Sequence, residues 1–167
     1  MSCRGVHFAL TAEEVATLTS IEDEDSRLQY LQEEIETRYF EESKDYLAES
    51  DKAWDAMHRT LADGLLSWDG GDYPLNHTVL AGELLYTGDD YIMSLKTPEQ
   101  VLAISQALAI LNVTEFRKKY DQIDASNYGD NLSDADFEYT WEWFQNVRKL
   151  YAHAAVEKRY VLFTVDQ

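Results

Sequence analysis

Cysteine is almost absent: Cys3 is the only one among 167 residues. A lone thiol excludes an intrachain disulfide framework and a thiolate zinc cluster. Two prolines and seven glycines leave no low-complexity tract or linker, and no internal repeat is found. Bases are scarce. Fourteen Lys and Arg face 32 Asp and Glu, for a net charge of −18. A nucleic-acid binder needs a basic face to displace phosphate counterions, so that class is excluded. Binding to an anionic membrane is disfavoured for the same reason. No apolar run approaches the roughly 20 residues of a membrane span. The opening Met-Ser-Cys-Arg-Gly has no apolar stretch of the signal-peptide kind. The expectation is a cytoplasmic protein.

Catalytic signatures are missing too. There is no G-x-S-x-G elbow, P-loop or G-x-G-x-x-G. His7, His58, His77 and His153 show no metal-ligating spacing, so no metal or cofactor is implied. Carboxylates are so numerous that no acid/base pair stands out. These absences favour a non-enzymatic role.

What is present is a core-forming chain, 45% hydrophobic and 13% aromatic. Its length suits one domain that buries about two-thirds of its unfolded surface. Val6, Phe8 and Leu10 alternate with Gly5, His7 and Ala9, which reads as a strand over 4–10. Thr11 with Glu14 is a capping box for a short helix to about Leu18. Leu28, Leu31, Ile35 and Tyr39 form an amphipathic stripe behind the acidic run 22–25. Residues 41–51 read as an irregular connection. A helix over 51–63 follows, capped by Ser50 or Asp51 and ended by Gly64. Residues 65–78 read as a loop, and 81–86 with 91–96 as a hairpin. Thr97, Pro98 and Gln100 start a helix with the stripe Val101, Ile104, Leu108 and Leu111. Asn112 caps another to Tyr120, 121–132 is a loop, Ser133 starts a long helix to about Val156, and 160–165 is a closing strand. The reading is a single α+β domain, several helices on a small sheet that includes both terminal strands.

The order of elements resembles the YfbM-like family, also called domain of unknown function 1877. The matching pieces are Arg4-Gly-Val-His-Phe-Ala-Leu10 and Lys52-Ala-Trp-Asp-x-x-His58 with Leu61 and Gly64. Pro74-Leu75, Val79-Leu80, Thr97-Pro-Glu-Gln-Val101 and Phe116-Arg-x-x-Tyr-Asp121 complete them. The resemblance covers nearly the whole chain and is weakest over 22–49. It implies an α+β fold of bacterial origin and supplies no catalytic residues.

Two sets of residues are candidates for a site. Trp54, Asp55 and His58 share one short helix, and Trp68, Tyr73 and His77 lie in or beside the glycine-containing loop that follows. Together they can line a small-molecule pocket between helix 51–63 and loop 68–77. The simpler alternatives are a core indole, a core imidazole tied to a carbonyl or carboxylate, and an Asp55–Arg59 pair at i,i+4. On the long helix, Tyr139 and Trp143 extend the apolar surface beyond one stripe, as at an interface. Three readings follow: a protein-binding, immunity-like domain whose acidic surface takes a basic partner; a small-molecule binder or enzyme at the pocket; and a homodimer through the C-terminal helix.

Overall fold

A computed structural model describes residues 3–167. Five antiparallel strands form one sheet in the order β2-β1-β5-β4-β3. They are β1 (Gly5–Leu10), β2 (Leu47–Asp51), β3 (Glu83–Leu84), β4 (Tyr91–Lys96) and β5 (Tyr160–Asp166). The terminal strands pair at the centre, with His7 opposite Phe163 and Ala9 opposite Val161. The α+β reading holds, with both terminal strands in the sheet.

Helices cover both faces, which explains why β1 and β5 are buried nearly end to end. On one face lie α1 (Ala12–Ser20), α2 (Glu24–Tyr30) and α3 (Thr37–Glu42), the last two joined by a π-helical stretch, Leu31–Glu36. Val15, Leu18, Leu31, Ile35 and Tyr39 from this layer meet Phe8, Leu10, Met93, Leu95 and Leu162. On the other face lie α4 (Trp54–Leu61), α5 (Pro98–Ala109), α6 (Val113–Tyr120) and α7 (Asp134–Val156). Their core joins Ala9, Val161, Phe163 and Val165 to Met57, Ile104, Phe116, Phe144 and Tyr151.

Local chemistry sets the helix ends. Thr11 and Thr97 each complete a capping box, with Glu14 and Gln100. Asn112 and Ser133 cap α6 and α7 through their side chains. Gly64 follows α4 at φ 85°, and a Cβ there would lie 2.4 Å from the Gln122 carbonyl oxygen. No side chain other than hydrogen can occupy that approach.

Two expectations are corrected. Residues 47–51 are not a connection but strand β2, paired with β1. The reason is its composition. Ala48 and Ser50 point inward under α7, while Glu49 stays exposed at the sheet edge, so no hydrophobic alternation shows. Neither Ser50 nor Asp51 caps α4. Ala53 holds the cap position without a side-chain bond, and the Ser50 hydroxyl instead donates to the Gly5 carbonyl at 3.1 Å.

Candidate functional site

The α4 residues are held from within. Trp54 is buried and its indole N–H donates to the Cys3 carbonyl at 3.0 Å. Asp55 pairs with Arg59 at 2.5 Å, and Arg59 also donates to Asn127 at 2.9 Å. His58 has zero exposure, and its Nε2 donates to the Ser67 carbonyl at 2.6 Å. Beyond α4, Trp68 is half-buried against the core. Tyr73 is exposed and meets His77 edge-on at 4.9 Å. His77 Nδ1 lies 2.7 Å from the Asn76 side-chain oxygen. The structure thus groups Tyr73 with His77, and it places Trp54 and His58 in the core beneath.

A second cluster carries no sequence motif. Thr78, Val79, Leu80 and Ala81 are buried, yet they belong to no strand. Their carbonyls need donors, because an unpaired buried peptide group costs about as much as a lost hydrogen bond. Side chains from three elements supply them. His7 Nε2 on β1 and the Tyr151 hydroxyl on α7 both donate to the Thr78 carbonyl at 2.8 Å. Lys96 on β4 donates to the Val79 carbonyl. Ser94, also on β4, donates to the Leu80 carbonyl at 2.7 Å and accepts from Lys96 at 2.8 Å. With His58 on Ser67, five side chains hold the backbone of a single segment.

This clamp is built from buried bases whose surroundings disfavour the charged form. Lys96 has zero exposure, and burial alone drives its pKa well below the ordinary lysine value. Burial, reinforced by Lys96, lowers His7 to about 3. Burial lowers His58 to about 4. A carbonyl can only accept, so each ring carries its proton on Nε2. Among the described residues, the Nδ1 atoms of both rings and the Thr78 hydroxyl have no hydrogen-bond partner. A neutral imidazole tolerates a bare Nδ1; a charged one would hold an unmet N–H beside an amine.

The clefts lie elsewhere. One of about 660 Å³ runs between β2 and α7. Leu47, Ala48 and Glu49 form one wall and Trp143, Asn146, Leu150 and His153 the other, with Phe40 and Lys44 at one end. A smaller one next to it is lined by Arg4, Glu49, Asp51 and Trp143. Trp143 therefore borders both. Tyr139 stacks edge-on with it at 6.3 Å and donates to Asp51 at 2.5 Å. Two further clefts open beside Arg38 and Arg159 and beside Arg4 and Glu36. None of these four is lined by Trp54, His58, Trp68, Tyr73 or His77. Among the described residues no group of three His, Cys, Asp or Glu is placed to hold a metal ion. Among the described residues no helix is long and apolar enough to cross a membrane.

The family model described as "Domain of unknown function (DUF1877)" matches residues 1–164. The chain belongs to this family. Among solved structures, the DUF1877 chain is similar to "a Protein of Unknown Function YfbM from Escherichia coli". The likeness has a TM-score of 0.66 at 17% identity and covers 97% of this chain and 99% of that one. It shows a shared fold. No curated protein matches.

Within the DUF1877 fold, two functional-looking features had weak sequence signals. Lys96 ends a strand whose odd positions, Tyr91, Met93 and Leu95, are apolar, so it reads as a solvent-facing terminus. The cleft needed β2, which its small and acidic residues conceal. Tyr139 and Trp143 form a second aromatic stripe in the sequence, and of the two Trp143 borders a cleft.

Proposed function

We propose that this protein is a non-enzymatic interaction domain whose acidic helical layer receives a basic protein partner. An immunity-like role is the most concrete form of that reading. The observation that carries it is where the charge sits. Between residues 13 and 49 there are thirteen acids and three bases. Two of those bases are spent inside the layer. Arg27 donates to the Ile21 and Leu85 carbonyls, both at 2.6 Å, and Arg38 pairs with Glu14. Glu33, Glu34, Glu41 and Glu42 remain exposed on the outer side. A field of one sign on one layer speeds encounter with an oppositely charged surface and rejects others.

The pocket reading, between 51–63 and 68–77, draws no support from the clefts. The buried bases His7, His58 and Lys96 are engaged with backbone carbonyls. A direct test is capture from an extract of the native host at low and moderate salt, using the wild type and a Glu34→Lys/Glu41→Lys/Glu42→Lys variant. A basic protein held by the wild type and lost by the variant is expected. Retention of no partner at either salt overturns the reading.

A further inference from the structure

We propose that the free edge of β2 is a strand-addition site, and that its occupant is an extended segment of a partner with a Lys or Arg placed opposite Glu49. This rests on the interaction-domain reading and names how the partner docks.

The sheet has two edges. β3 is two residues long, too short to template another strand, and β2 is five. Among the described residues, β1 is the only strand paired with β2. An edge strand presents unpaired N–H and C=O groups that an extended chain can satisfy. Here that edge is not a flat rim. The 660 Å³ cleft runs along it, bounded across the gap by Trp143, Asn146 and Leu150 of α7. An added strand would alternate its side chains. One set would meet Trp143 and Leu150, and the other would meet Phe40 and Glu49. Trp143 is the half-buried aromatic such a groove uses as an anchor.

Charge selects the occupant. β2 reads Leu47-Ala-Glu-Ser-Asp51 and contains no base. A second copy pairing through β2 would set Glu49 against an uncharged or acidic residue and join two chains of net charge −18. Like charges directly opposite destabilise a strand pair. A basic residue opposite Glu49 reverses that sign. Toward the Leu47 end the cleft is bordered by Lys44, Lys149 and His153, against Asp45. An acid in the segment, a few residues from its base, suits that end.

The test is display of randomised eight-residue segments against the full chain, with Glu49→Lys and Trp143→Ala as parallel targets. Glu49 is exposed, so its replacement leaves the fold intact, which thermal melting checks. The wild type should enrich segments rich in β-branched residues with one Lys or Arg. Glu49→Lys should switch that position to Asp or Glu, and Trp143→Ala should cut enrichment at least tenfold. NMR shifts from the winning segment should concentrate on Leu47–Asp51 and Trp143. No enrichment, the same consensus for wild type and Glu49→Lys, or shifts on other elements would overturn the site. A chain that self-associates through β2 would overturn it as well. If display fails while the α2–α3 charge reversal still abolishes capture, strand addition is wrong and the interaction reading stands.

Discussion

On the α1–α3 side of the sheet, two buried tyrosines aim at carboxylates. Tyr39 lies 2.7 Å from Glu14, and Tyr91 donates to Glu36 at 2.7 Å. On the α4–α7 side Tyr120 does the same with Asp136, but His7, His58, Lys96 and Tyr151 aim at backbone carbonyls. In the first arrangement hydrogen bonds hold Glu14 below the ordinary carboxylate range and burial pushes Glu36 up, while Glu33, Glu34, Glu41 and Glu42 outside it carry the outward field. The second consumes its bases in the interior, where burial disfavours their charged forms. A chain with 14 bases and 32 acids thereby shows even fewer bases than its composition gives. Wealth in His, Lys and Trp at one place is thus no guide to function here; the side chains left unspent are.

The largest effect expected to sharpen this contrast is at Lys96. Lys96→Ala removes the donor to Val79 and opens a void, at a cost of about 3–5 kcal/mol. Lys96→Met keeps the volume and loses only the donor, at about 1–3 kcal/mol. Chemical denaturation reads both. A Lys96→Met protein as stable as the wild type would break the clamp, since a merely tolerated buried amine is improved by an apolar isostere.

Next comes pH. Folding lowers His7 and His58 from 6.5 to about 3 and about 4. The unfolded chain therefore binds more protons between about pH 4 and 6.5, and stability rises with pH across that window. Acidification from pH 7 to 4.5 should cost on the order of a few kcal/mol. Glu14 and Asp124 are held below their ordinary values, so their contributions fade only at lower pH. His7→Gln/His58→Gln should flatten the slope between pH 5 and 6.5, with a remainder from His77, which shifts the same way. An unchanged slope would place the titration elsewhere.

The opposite face should answer more weakly. Tyr39→Phe removes one of several donors to Glu14, which keeps Thr11 and Arg38, so about 1 kcal/mol is expected. Smallest of all is Glu34→Lys/Glu41→Lys/Glu42→Lys, within about 0.5 kcal/mol, since the three are exposed and two sit where a helix end favours cations. A large loss there would mean that the acidic layer serves stability as well.

Elements specified locally were legible in the sequence. The Thr11 and Thr97 capping boxes and the stripe Val101, Ile104 and Leu108 need only neighbours three or four residues away. The Asp55–Arg59 pair was readable for the same reason. The clamp was not. His7 and the Thr78 carbonyl are 71 residues apart, and no periodicity marks a carbonyl that lacks a strand partner. β2 was hidden because its inward residues are Ala48 and Ser50, small enough for α7 to approach closely. His58 was placed on the apolar face by its spacing from Trp54 and Leu61, and its carbonyl partner fits the simpler of the two alternatives.

The most direct test sets two variants side by side in the capture experiment, each with its melting curve. The account predicts that Lys96→Met melts lower and still retains the basic partner, whereas Glu34→Lys/Glu41→Lys/Glu42→Lys melts like the wild type and retains none. Loss of the partner by folded Lys96→Met, with the charge-reversed protein still binding, would contradict it.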